Sequence, residues 1–385
     1  MTELQKNDNL YVANTYARFK VDIVKGNGSL YYGADGKEYI DLGSGIGVTA
    51  FGACDEVWKQ AVISQLDKFQ HVSNLYFTNP CVELAKILVE KTGLSKVFFA
   101  NSGAEANECA IKVARKYYED KNQKQGYIIT LKNSFHGRTL TTLSATGQDK
   151  FHELFNPLTS GFLHADANDI CQIENYLSSY PIAGVMIELV QGEGGVNTLD
   201  KDYVKALKAL CDKHDALLIV DEVQTGNGRT GELYAFNNYD ILPDVVTTAK
   251  GLGGGLPIGA CIIGSKAQNV LTYGTHGSTF GGNPVCAAGA ISILNRLTPE
   301  FLAEVKQKSE FVIKELSCHD GVESVTGLGL MLGIKTKKEA KQIVEKCIEN
   351  GVLVLTAKDK IRLLPPLNIP FDLLKKAIEI IKQAL

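Results

Sequence analysis

No stretch of this chain is apolar for long enough to cross a bilayer. The longest run without Asp, Glu, Lys or Arg, from Ala267 to Asn295, is interrupted by THGSTFGGNP and cannot span helically. Nor is there an excess of either charge: 40 Lys plus Arg stand against 43 Asp plus Glu. That balance argues against nucleic acid or an acidic membrane as partner and favours a small molecule. No two of the nine cysteines form a CxxC pair, so a zinc ribbon and a thioredoxin-type motif are excluded. An odd number of scattered thiols suits a reduced, cytosolic protein. The opening MTELQKNDNL has no apolar core and is not the Arg-rich, acid-free segment that organelle import needs, so a cytoplasmic location is the expectation. Internal repeats, low-complexity tracts and a GxxxxGK[ST] phosphate loop are absent too.

What remains is a globular composition, 385 residues of which 45% are apolar. At roughly 100 to 200 residues per domain this suggests two or three domains. Short apolar runs, VFFA at 97–100, YIITL at 127–131, AGVMIEL at 183–189, ALLIV at 216–220, DVVTTA at 244–249 and GACIIG at 259–264, alternate with helix-periodic segments. The pattern predicts a largely parallel sheet covered on both faces. Ala106, Cys109, Ala110, Val113, Ala114 and Tyr117 form one apolar helical stripe. The early LYYGADGKEYIDL reads as a hairpin turning on Asp35-Gly36. After Pro284 the character shifts to a small-residue helix, short strands and a closing helix from Phe371. The expected division is an N-terminal segment 1–45 packed with the small domain, a large domain 46–284 and a smaller α+β domain 285–385.

In open α/β sheets, ligands bind beyond the carboxyl ends of the strands, so the polar residues just after each run carry the information. Ser102-Gly103-Ala104-Glu105 follows VFFA; its small residues open a helix whose free N–H groups suit a phosphate, although Ser102-x-x-Glu105 is also a capping box. Glu188 and Gln191-Gly192-Glu193-Gly194-Gly195 follow the third run. Asp221 ends what reads as a central strand, where a buried acid needs a cationic partner. Lys250 ends the next, facing glycines, where an amine can act as a nucleophile. His136, in Ser134-Phe135-His136-Gly137-Arg138-Thr139, is the one histidine placed among such groups. Two motifs mislead. Gly226 to Gly231 matches GxGxxG but opens no long helix, and His152-Glu153 begins HExxH but has Asn at position 156.

A phosphate-holding helix start, a strand-end acid, an aromatic in a strand-end loop and a strand-end lysine are together the groups that pyridoxal phosphate needs. The motifs NSGAEAN, FHGRT, QGEGG, VDEVQTGNGRTG, TTAKGLGGGLPIGA, HGSTFGGNP and IRLLPPLNI resemble, in order and approximate spacing, those of the class III pyridoxal-phosphate aminotransferases. The resemblance covers nearly the whole chain. It implies a fold-type I transferase of α/β class, with a mostly parallel seven-stranded sheet in the large domain and a smaller α+β domain.

By that resemblance Lys250 would carry the cofactor covalently and move the proton. Asp221 would pair with the ring nitrogen, Gln224 would lie near the ring hydroxyl, and Phe135 would stack on the ring, with His136 and Val223 beside it. Ser102, Gly103 and Ala104 would hold the phosphate, joined by Thr279 from a partner subunit in a homodimer. Arg138 would meet the carboxylate far from the reacting amine. Arg362 would meet the α-carboxylate of 2-oxoglutarate or glutamate, with Glu193 covering it in between. Tyr16, Glu188 and Ser278 belong to the substrate side. Members acting on ornithine usually have tyrosine where Ile46 stands, so a donor with an acylated α-amine is expected, N-acetylornithine, with 2-oxoglutarate as acceptor; the alternatives are N-succinyl-diaminopimelate, succinylornithine, ornithine or 4-aminobutyrate as donor, or a non-catalytic cofactor binder. The chain departs from the family at Leu189, usually Pro, and at Ala53-Cys54-Asp55-Glu56, where His-x-His-Pro is common.

Overall fold

The computed structural model describes residues 1–385, and none of its helices is long and apolar enough to cross a membrane. The central sheet has seven strands in the order Lys96–Ala100, Gly259–Ile263, Val245–Thr248, Leu217–Asp221, Ile182–Ile187, Tyr127–Leu131 and Phe162–Ala165. Pairing is parallel except that Gly259–Ile263 runs antiparallel to both neighbours. All six apolar runs are strands. The seventh, Phe162–Ala165, is a half-buried edge strand carrying His164, and it lacks the apolar density that marks the others.

Every residue of Ile182–Ile187, Leu217–Asp221, Val245–Thr248 and Gly259–Ile263 is buried, as helices on both faces require. Alternation along a strand divides the side chains between two cores. Leu217 and Ile219 pack with Cys109, Ala110, Val113 and Tyr117 of the helix Gly103–Asn122. Leu218 and Val220 face the opposite core, which takes in Leu84, Ile173, Val204 and Leu207 from three other helices. Each such large aliphatic side chain stabilises by about 1.5 to 3 kcal/mol when fully buried. The helix Gly103–Asn122 starts where Ser102 Oγ accepts from the Glu105 N–H and ends at Gln123, whose φ of 52° is left-handed.

The hairpin on Asp35-Gly36 forms, with Gly36 at a φ of 81°. Its second strand, Glu38–Asp41, pairs in parallel with Val352–Leu353 from the far end of the chain. Ile40 and Leu42 thereby enter a core with Val312, Ile343, Leu363 and Ile378. A second small sheet orders Val322–Leu328, Met331–Thr336, Lys360–Leu363 and Leu355–Ala357. The helix Pro284–Leu294 packs its buried Ala287, Ala290 and Ile293 into the larger core. The next helix, Pro299–Ser317, gives Val305 to the larger core and Val312 and Leu316 to the smaller one, so it bridges them.

The GxGxxG-like segment serves this junction. Arg229, fully buried, donates from Nη1 to the carbonyls of Leu330 at 3.0 Å and Pro365 at 2.6 Å. Burial pulls its pKa down to about 9, opposed by the carboxylate of Asp41.

Candidate active site

A cavity of about 620 Å³ opens beyond the carboxyl ends of the parallel strands. Asp221, Lys250, Glu188, Phe135, His136 and Arg138 all reach it, together with Ser102, Gly103, Ala104, Val223, Gln224 and Tyr16. Twelve residues from distant points of the chain thus converge where the sequence places them. At the helix start, the close approach of Val223 leaves no room for a side chain on Gly103: an added Cβ would lie 2.6 Å from Val223 Cγ1. Ser102 caps the helix, so the capping role and an anion-facing position coexist.

Asp221 ends its strand at 4% exposure with three N–H donors. Oδ2 accepts from Asn107 Nδ2 and from His136 Nδ1, both at 2.8 Å, and Oδ1 accepts from the Val223 N–H at 3.0 Å. Because its partner is a carboxylate, Nδ1 of His136 carries the proton; Nε2 is buried without a partner. Three donors fix the orientation of the carboxylate, which a cationic ring can approach from the cavity. Asn107 was not singled out in the sequence; it sits beside the apolar stripe of its helix and looks there like an ordinary polar helix residue.

The loop bearing Phe135 is fastened from several sides. The His136 N–H donates to Thr146 Oγ1 at 2.9 Å, Gln148 Nε2 donates to the Ser134 carbonyl at 2.9 Å, and the Phe135 N–H donates to Glu188 Oε2 at 2.8 Å. Burial, with Asp221 nearby, pushes the Glu188 carboxyl well above the usual carboxylate range. The ring of Phe135 meets Phe151 edge-on at 6.1 Å, and the exposed Arg138 guanidinium lies 4.4 Å over the Phe151 ring and 5.4 Å over the Phe135 ring.

Lys250 follows the strand Val245–Thr248 with a left-handed φ of 43°, a strained conformation for a side-chain-bearing residue. Asn227 fixes the preceding backbone by donating to Thr248 Oγ1 at 2.9 Å and to the Ala249 carbonyl at 3.2 Å. Burial lowers the pKa of the Lys250 amine, Glu193 being the strongest opposing charge. A less basic amine is a better nucleophile and proton carrier near neutral pH.

Beside the cavity, Arg362 Nη1 donates to Glu193 Oε1 at 2.5 Å and to Gln224 Oε1 at 3.2 Å. For Glu193, burial pushes the pKa up, but Arg362 outweighs it and leaves the carboxyl below its ordinary value. The pair reaches the cavity through Gln224. One further acid went unrecognised in the sequence: Glu222, fully buried, accepts from Phe236 N–H at 2.9 Å and Thr225 Oγ1 at 2.5 Å, and burial raises its pKa to about 7.

Besides Glu193 and Arg362, three expected residues, Ile46, Ser278 and Thr279, lie off the cavity wall. Ile46, at a φ of 65°, lines a neighbouring cleft of about 410 Å³ with Arg18 and Leu355. Ser278 Oγ accepts from Asn101 Nδ2 at 3.2 Å and from the Gly281 N–H at 3.0 Å. Thr279 is exposed next to it.

The family described as Aminotransferase class-III matches residues 11–385. An acetylornithine aminotransferase from Haemophilus ducreyi is 48% identical over 386 residues, covering 100% of this chain and 98% of that protein. Among solved structures, the N-acetylornithine aminotransferase of Stenotrophomonas maltophilia superposes with a TM-score of 0.86 at 34% identity, over 98% of this chain and 97% of that one. An ornithine aminotransferase from Toxoplasma gondii, described with PLP at partial occupancy in its active site, superposes with a TM-score of 0.94 at 30% identity, over 100% of this chain and 94% of that one.

Proposed function

Because the chain belongs to the class-III aminotransferase family, we infer that it moves the δ-amino group of N2-acetylornithine to 2-oxoglutarate, giving N-acetylglutamate 5-semialdehyde and glutamate, a step of arginine biosynthesis. The observation that carries the donor is the 48% identity with an acetylornithine aminotransferase along the whole chain. Likeness of fold extends at least as far to an ornithine enzyme and does not separate the two donors.

The cofactor is pyridoxal 5'-phosphate, and the residues fit it. A buried carboxylate with three N–H donors awaits a cation, a lysine amine shares its cavity, and the helix start at Gly103 leaves backbone N–H groups free for an anion. When bound, the cofactor supplies an aldehyde for the amine and an electron-poor ring that stabilises negative charge on the substrate carbon.

Asp221 keeps a proton on the ring nitrogen, and Phe135 offers a face to the ring. Ser102, Gly103 and Ala104 take the phosphate. Lys250, made less basic by burial, carries the proton between the substrate carbon and its acceptor position. Arg138, which makes no ion pair within the chain, is free to take a distal carboxylate. Glu193 masks Arg362 while the donor, uncharged near its reacting carbon, is bound, and uncovers it for the α-carboxylate of 2-oxoglutarate.

A homodimer with shared sites belongs to the same proposal. Leu75, Tyr76, Phe77, Tyr273 and Phe280 are exposed large side chains, and Phe280 adjoins Thr279, the residue assigned to a partner's phosphate. Such aromatic exposure is unusual on a free surface and suits an interface. The cytoplasm is the proposed location.

The test is single turnover without 2-oxoglutarate, following the absorbance of the bound cofactor after mixing with N-acetylornithine, ornithine, N-succinyl-diaminopimelate or 4-aminobutyrate. Fastest conversion with N-acetylornithine supports the reading. Preference for ornithine or 4-aminobutyrate would keep the chemistry and overturn the donor.

A further inference from the structure

The helix Gly103–Asn122 does more than start beside the phosphate site. Counting from Gly103, Asn107 stands about one turn along, roughly 5 to 6 Å down the axis, and its amide reaches the acid at the opposite end of the cavity. Its side chain is wholly buried and makes three contacts: Nδ2 donates to Asp221 Oδ2 at 2.8 Å and to the His136 carbonyl at 2.8 Å, and Oδ1 accepts from Thr247 Oγ1 at 2.6 Å.

The orientation of that amide follows from its surroundings. Turned over, it would set its oxygen against both a carboxylate oxygen and a carbonyl oxygen, two repulsive contacts for a buried side chain. The Thr247 hydroxyl, which can donate or accept, accommodates either orientation but is satisfied as a donor in this one. Nδ2 is therefore a committed double donor.

We propose that Asn107 is a positioning residue for the reaction, holding the Asp221 carboxylate at a fixed rotation, so that one helix sets both the phosphate end and the ring-nitrogen end of the cofactor site. This rests on the aminotransferase reading of the site. His136 shares the same oxygen, Oδ2, and its backbone carbonyl receives the other Nδ2 proton, so Asn107 also ties the Phe135–Arg138 loop to the acid.

The proposal separates from a purely structural role through a pair of variants. Asn107→Asp keeps the shape but replaces the donor by an acceptor facing Asp221; Asn107→Ala only removes it. If shape were what mattered, the isosteric Asp would be the milder change. If donation matters, Asp is the worse one, because it sets two carboxylates against each other. The expected result for Asn107→Ala is cofactor affinity weakened about 10- to 100-fold. Both half-reactions should slow by a similar factor, measured per cofactor-loaded site in single turnover, with donor preference unchanged. Asn107→Asp should bind cofactor still more weakly.

Equal or better cofactor binding by Asn107→Asp than by Asn107→Ala overturns the proposal, as do wild-type rates per loaded site in Asn107→Ala. Thr247→Val, which removes the donor to Asn107 Oδ1 and so loosens the buried amide, is measured alongside, in case the Asn107 variants do not fold. It should weaken cofactor binding several-fold, and unchanged affinity overturns the proposal. Failure of the aminotransferase reading itself would appear separately, as a wild-type protein that binds no pyridoxal phosphate.

Discussion

Glu193 and Arg362 form an ion pair of unequal burial: the arginine side chain is 4% exposed and the glutamate side chain 32%. The guanidinium is further held by the Gly192 carbonyl at 3.3 Å and Gln224 Oε1 at 3.2 Å, whereas Glu193 has no other strong partner. The carboxylate is therefore the member free to leave. Arg362→Ala should slow the 2-oxoglutarate half-reaction by at least about 30-fold, from the 2 to 5 kcal/mol typical of truncating a buried charge partner. The N-acetylornithine half-reaction should change far less. Equal slowing of both, in stopped-flow single turnovers, would reject the gating role.

Lys250→Ala should retain pyridoxal phosphate, through Asp221 and the helix start at Gly103, yet turn over negligibly. Steady-state assays with N-acetylornithine and 2-oxoglutarate test this directly. Near-normal turnover would remove lysine from the chemistry.

Glu222 makes stability depend on pH. Its ordinary pKa of 4.5 rises to about 7 on burial, so the folded protein binds a proton that the unfolded chain has released between those values. The contribution is fully present below the unfolded pKa and is lost as pH rises through about 7. The loss is on the order of a few kcal/mol. Glu222→Gln cannot ionise but gives up one acceptor to Thr225 or Phe236. It should be clearly less stable than wild type at pH 5 and close to it at pH 8. Denaturant unfolding at the two pH values measures the gap, and a gap that stays constant contradicts the argument.

Ile46→Tyr should shift donor preference from N-acetylornithine toward ornithine, by about 10-fold or more in relative kcat/KM, a change within the range that single pocket contacts supply. The side chain sits on a backbone with left-handed φ at Ser44, Gly45, Ile46 and Gly47 in succession, so its direction is fixed by the turn. Unchanged preference in competition assays would detach Ile46 from donor choice.

The strand-end residues were legible because a parallel sheet gathers the carboxyl ends of its strands at one edge; Asp221, Lys250 and Glu188 could be ranked on that rule alone. Three things could not be read. Gly259–Ile263 is antiparallel, and an apolar run has the same composition in either direction. The strand Val322–Leu328 is mostly half-exposed and contains Gly327, so it shows no clear period. Asn107 acts through a buried hydrogen bond to Asp221, far away in sequence, and Glu222 is held by Thr225 and Phe236 only once its loop folds back, and spacing encodes neither. The pairing of Glu193 with Arg362 came from likeness to a family, and the geometry now supplies its physical basis.

The parallel pairing of Glu38–Asp41 with Val352–Leu353 has a consequence for biosynthesis. The hairpin leaves the ribosome about 300 residues before the strand that completes its sheet. At roughly 5 to 20 residues per second, the hairpin waits on the order of 15 to 60 seconds with one edge unpaired. Ile40 and Leu42, buried in the finished enzyme, spend that interval without their core. The nascent chain is thus open to chaperones and to edge-to-edge association at this hairpin, although the contacts that close the vulnerability lie far downstream.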